Sequence, residues 1–342
     1  MPDLRGIWRP ELYHGRGRRP PFFEGWYFKL VDASEQRRYA IIPGVFIGRD
    51  PAASHAFVQT LDGVTGRTAY HRYPFQAFDA ARDRFDIRVS SSRFCADHIE
   101  LEIDRPEGQL FGELHFSDGV PWPVTLTSPG VMGPYAFAPF MECYHGVLSF
   151  DHEIVGQLTV DGVAFDFDGG RGYIEKDWGQ AFPKAWIWMQ SNHFERPGTC
   201  LTASVAVIPW LGGAFPGFIV GLWHDGQLYR FATYTGAALE RLDLEDTHVT
   251  WHLAGRTGPA GSRNTPYRLE IVAWRAEGGL LHSPERVAMQ QRVLESLTAR
   301  LDVRLLAVTG GQEQVVFAGT GRHAGLEIVG PIHEIQKLAR IS

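Results

Sequence analysis

The chain has 342 residues, 44% of them hydrophobic, and 33 Lys and Arg stand against 39 Asp and Glu for a formal charge of -6. That length and apolar share allow one large domain or two ordinary ones and exclude a disordered chain, while the acidic balance excludes a global basic footprint for nucleic acid. Aromatic residues make up 13%, and 38 Gly with 21 Pro favour strands and turns over long helices.

The amino-terminal stretch through Arg16, Arg18 and Arg19 has charges and prolines but no signal-type apolar core, and reads as a solvated arm entering the first strand. No stretch approaches 18 uninterrupted apolar residues, so neither export nor membrane spanning is expected. Alternating runs bounded by Gly, Pro, Asp and Asn predict strands at 25–31, 39–47, 56–61, 85–90, 99–104 and 109–116. The series continues at 146–150, 154–160, 185–190, 201–208, 217–224 and 229–234. Ser283 as N-cap and Pro284 at the first helical position predict one short helix from Pro284 to about Glu295, with Val287 and Leu294 on one face. From Leu297 to Ala307 apolar residues alternate with Thr298, Arg300, Asp302 and Arg304, a half-buried strand. Cys95, Cys143 and Cys200 are odd in number and widely spaced, which predicts reduced thiols in a cytoplasmic protein.

The chain also matches itself. GWYFKL, YAIIPG and HAFVQTLDG answer to AWIWMQ, VAVIPW and GFIVGLWHDG; further on, HIELEID answers to YRLEIVA and GGRGYIEKDWG to GTGRHAGLEIVG. The order is preserved at an offset of roughly 150 to 170 residues, the size of one small β-barrel. The prediction is an all-β chain of two β-barrel or sandwich halves, 1–180 and 181–342, related by a weak internal repeat; chance similarity among Gly-rich strands is the alternative. A barrel of about eight strands can enclose a small apolar ligand.

Ionisable groups crowd among aromatics in two segments, 134–150 and 169–194. Strand alternation would put Glu142 and Tyr144 on one face and Cys143 and His145 on the other. In YIEKDWG, Glu175 and Asp177 would share a face with Lys176 pointing away; a turn with Lys176 paired to one acid is the alternative. Trp178, Trp186 and Trp188 beside such an acid would desolvate it and raise its pKa, making a proton donor near neutral pH. His14, His55, His71, His145, His193 and His224 fit no recognised metal spacing, and no phosphate loop, dinucleotide fingerprint or nucleophile elbow occurs. No metal and no cofactor are expected.

Three motifs, FFEGWYFKL at 22–30, PGVMGPYAFAPFMECYHGVLSF at 129–150 and GGRGYIEKDWGQAFPKAWIWMQSNHF at 169–194, resemble the tocopherol cyclase family in order and rough spacing. The resemblance implies a lipocalin-like fold in two halves, akin to carotenoid hydratases, and a cofactor-free reaction of the isomerase class. A prenylated hydroquinone such as 2-methyl-6-phytylbenzoquinol closes to a chromanol when its alkene is protonated and its phenolic oxygen attacks. Plant members carry a plastid transit segment ahead of the first motif, and its absence here implies a bacterial cytoplasmic version. On that resemblance Asp177 is the expected general acid, with Glu175 beside it, and Glu142 or His145 takes the phenolic proton. Tyr144, Trp178, Trp186 and Trp188 would wall the prenyl chain, with Trp26 beside Glu24, a reserve acid. The expected partner is a lipophilic small molecule, with peripheral membrane contact and no nucleic acid. A lipid carrier without catalysis, or an isoprenoid hydratase on the same fold, are the other readings.

Overall fold

The computed structural model describes residues 4–257 and 265–339. Its strands form two antiparallel sheets, one of 12 strands and one of 10. In the first, Phe22–Val31, Arg38–Ile47, His55–Asp62 and Thr68–Pro74 make a meander. On the other flank of Phe22–Val31 the order continues through Gly170–Gly179, Cys143–Val160, Gly108–Ser117 and His98–Arg105 to Ser92–Cys95, Asp86–Val89 and Phe78–Ala80. Val58 and Tyr73, from one end of that order, share a core with Ile87 and Val89 from the other and with Trp26 and Phe28 from the middle. The sheet therefore rolls around its own interior, in lipocalin-like fashion.

The second sheet repeats the plan. Trp186–Ser191, Cys200–Trp210, Gly213–His224 and Gln227–Ala232 form the meander. On the other flank of Trp186–Ser191 come Gln312–Val329, Met289–Thr309, Pro266–Trp274, His248–Arg256 and Ala238–Leu244. Ile187, Leu201, Val220, Trp251, Leu269 and Leu301 fill its core. Four of the five sequence matches fall on equivalent strands. The fifth does not: His98–Arg105 is fourth from Phe22–Val31, whereas Pro266–Trp274 is third from Trp186–Ser191. Two alternating strands look alike whatever their place in a sheet, because the period carries no positional information.

The helix expected from Pro284 to about Glu295 is absent. Pro284 instead ends the strand Gly279–Pro284, and Met289–Thr309 follows as the next strand. Val293, Glu295 and Leu297 are buried while Leu294 between them is exposed, the period of a strand. Val287 and Leu294, whose spacing suggested a helical face, both point to solvent. The one α-helix among the described residues is Ile332–Ala339, which places Ile332 and Ile335 in the second core.

By packing the chain forms two compact units, Met1–Phe182 with Gly279–Arg292, and Pro183–Gly278 with Val293–Ser342. The hairpin segment 279–292 thus leaves the second half of the sequence to pack with the first unit: Gln59 exchanges two hydrogen bonds with the backbone of His282, at 3.2 and 2.6 Å. Among the described residues no helix is long and apolar enough to cross a membrane. All three cysteines are free thiols.

Candidate active site

The strand Gly170–Gly179 runs between Phe22–Val31 and Cys143–Val160, and its two faces carry different chemistry. Across the ladder His145 is in register with Asp177 and Val147 with Glu175, while on the other flank Gly25 stands opposite Asp177. Because Gly25 has no side chain, the polar neighbours of Asp177 come from the Cys143–Val160 side.

On the face away from the core, His145 lies between two carboxylates. Its Nδ1 is 2.9 Å from Oδ1 of Asp177 and its Nε2 is 3.7 Å from Oε2 of Glu175. Tyr173 donates its hydroxyl hydrogen to Glu175, and the thiol of Cys143 lies 3.9 Å from Asp177. Burial alone would push the imidazole pKa down, but the adjacent charges of Asp177 and Glu175 reverse this and raise it to about 9. Burial, reinforced by Asp177 and Glu142, pushes the Cys143 thiol up. The cluster therefore holds a protonated imidazole between two acceptors near neutral pH. One ligand atom from each of His145, Glu175 and Asp177 lies within 4.8 Å of the others, a donor set that could also take a divalent cation.

The core-facing side is occupied differently. Lys176 donates to Glu24 and to the backbone oxygen of Leu12 (2.6 Å), and both charged side chains are fully buried. The ammonium sits 4.5 Å from the centre of the Trp26 ring and 4.9 Å from that of Trp178. The backbone N–H of His14 donates to Glu24 at 2.8 Å, and the His14 ring stacks on Trp178 at 4.3 Å. Burial would raise the Glu24 pKa, but Lys176 and His14 hold it below the usual carboxylate range.

The sequence-derived candidates thus separate. His145, Glu175 and Asp177 come together. Glu24, Trp26 and Trp178 lie on the opposite face of the same strands, engaged in the buried ion pair, and Tyr144 stacks on Trp178 at 5.5 Å. Glu142 pairs with Arg286 at 2.7 Å. Trp186 and Trp188 belong to the second unit, where the Trp186 indole donates to Glu327 at 2.6 Å. Sequence reasoning passed over Tyr173, although it precedes Glu175 and Asp177 at the same two-residue period, and His14, whose contact needs the tertiary fold.

A long rolled sheet thus carries a half-buried imidazole between two carboxylates on one strand face. Residues 122–330 match the family described as Tocopherol cyclase-like, and the chain belongs to that family. A chloroplastic relative in Oryza sativa subsp. japonica is 28% identical over 218 residues, covering 60% of this chain and 44% of the relative. The chloroplastic tocopherol cyclase of Zea mays is 27% identical over 209 residues, covering 58% and 41% respectively. The match therefore spans less than half the length of these curated relatives. The crystal structure of CghA shares the fold, with a TM-score of 0.54 at 12% identity, covering 91% of this chain and 89% of that one.

Proposed function

We propose that this chain is a cyclase-like enzyme of the isomerase class that closes a prenylated quinol to a chromanol without a cofactor. The observation that carries the reading is the half-buried His145 imidazole bridging Asp177 and the buried Glu175, within the region matched to the family. The proton shared by His145 and Asp177 goes to one alkene carbon, the phenolic oxygen bonds to the neighbouring tertiary carbon, and Glu175 takes the phenolic proton. One proton enters the substrate and one leaves it, so the product is an isomer. His145 and Asp177 share one hydrogen bond, and the acid is assigned to the pair. Glu142, committed to Arg286, is the weaker candidate for the base. General acid and base catalysis contribute about 10² to 10⁴-fold, so holding the phenol against the alkene supplies much of the remaining acceleration.

A lipophilic substrate implies contact with lipid, and the first unit offers a surface for it. Leu126 is 82% exposed, and Phe137 and Phe140 of the same loop region are also exposed. Trp8 anchors this region, its ring 5.5 Å from Phe137 and its indole N–H donating to the Leu126 carbonyl at 3.2 Å.

The test is incubation of the purified protein with reduced 2-methyl-6-phytylbenzoquinol in detergent and deuterated water. A chromanol carrying one deuterium on the ring carbon beside the oxygen-bearing centre is expected. Substrate bound but unchanged would replace the enzyme with a carrier, and a product heavier by one water would make it a hydratase.

A further inference from the structure

Three strands along the first sheet from Gly170–Gly179, a second cluster of ligating side chains stands apart from the one just described. Ser92–Cys95 turns directly into His98–Arg105, which brings the Cys95 sulfur, a carboxylate oxygen of Asp97 and a ring nitrogen of His98 within 4.8 Å of one another. On the next strand His115 is in register with His98, and Glu113 with Glu100. Ile99, Leu101, Leu114 and Phe116 turn into the core, so the alternation points both imidazoles outward together. Their ring centroids are 6.1 Å apart.

The donor types decide which ion fits. A thiolate with imidazoles selects a borderline or soft divalent cation over calcium or magnesium, which take oxygen ligands. Around zinc, with bonds of about 2.0 to 2.3 Å, tetrahedral ligand atoms stand roughly 3.5 Å apart. Cys95, Asp97 and His98 therefore have to contract by little more than about 1 Å, the ion exchanging the 2.9 Å contact of His98 with Asp97 for metal bonds, while His115, now 3.0 Å from Glu113, turns in from a side chain 62% exposed. The nearby cation Arg93 is already neutralised: it binds Asp86 through two nitrogens at 2.9 Å and approaches Glu100 at 3.6 Å. Cys95 is buried, so the sulfur side of the site is sealed while the carboxylate side faces solvent.

We propose that Cys95, Asp97 and His98, completed by His115, bind a divalent cation of the zinc class. Binding converts the thiol to a metal-bound thiolate and releases one proton to solvent. Sequence spacing concealed the site, because three ligands sit in one β-turn and the fourth arrives only through strand register.

The test is an anaerobic titration of the full chain with cobalt(II), followed by displacement with zinc(II). One equivalent is expected, with a sulfur-to-cobalt charge-transfer band in the near ultraviolet. Cys95→Ser should remove that band, and His115→Ala, at a side chain 62% exposed and therefore safe for folding, should weaken affinity at least tenfold. His145→Ala should leave binding unchanged. Absence of stoichiometric binding at micromolar metal would overturn the proposal. So would binding that survives Cys95→Ser with its charge-transfer band intact, or that His145→Ala abolishes.

Discussion

Nδ1 of His145 lies 2.9 Å from Oδ1 of Asp177, its register partner across two antiparallel strands. Backbone pairing therefore fixes the distance between the two groups assigned to proton delivery. Asp177→Asn keeps the size and a hydrogen-bonding side chain but removes the charge that helps hold the imidazole protonated. Turnover of the quinol should fall by about 10² to 10⁴-fold with the circular dichroism unchanged. Full turnover in both Asp177→Asn and Glu175→Gln would move the chemistry elsewhere.

The raised pKa of His145 predicts a pH profile. Its ordinary value is 6.5 and its folded value about 9, so the imidazolium persists through neutral pH. The stability that protonation contributes is fully present below about 6.5 and is lost as pH rises through about 9. Turnover should follow the same upper limb, declining as pH passes about 9. In Asp177→Asn that limb should shift to lower pH, which a rate profile and a ring-proton NMR titration both read. An unshifted limb would mean that Asp177 does not set the imidazole charge.

How much of this was legible in the sequence is a matter of range. Period two alone puts Glu175 and Asp177 on one face and Lys176 on the other, and the structure has that alternation. The partner of Lys176 is 152 positions away, chosen by a late strand inserting beside the first one, which no local pattern encodes. For the same reason Trp178, expected along the prenyl chain, and Trp26, expected beside Glu24, both lie against the Lys176 ammonium. Ser283 and Pro284 carried a local helix-start signal that strand pairing overrode, since Pro284 occupies the last position of its strand.

That ion pair makes its own prediction. Lys176 and Glu24 are both fully buried, so removing one partner strands the other's charge in the core. Lys176→Met should cost about 3 to 5 kcal/mol in urea unfolding. Adding Glu24→Gln, which keeps an acceptor for the His14 N–H, should recover a large part of that loss. Strictly additive losses in the double variant would show that the pair is not coupled.

The exposed loop gives a prediction independent of catalysis. Leu126 and Phe137 spend apolar surface on water, and replacing both with Ser removes that surface without touching the core. Arg9 is paired with Glu11, but Arg18 and Arg19 are exposed on the amino-terminal arm of the same unit and add positive charge to the apolar tips. That combination suits an anionic bilayer over a neutral one. Sedimentation with phosphatidylglycerol-containing vesicles should exceed that with phosphatidylcholine alone and fall as salt is raised. The Leu126→Ser, Phe137→Ser double variant should lose most of the binding while retaining its melting temperature. Equal sedimentation of the parent and the double variant would remove this face from any role in reaching a lipid substrate.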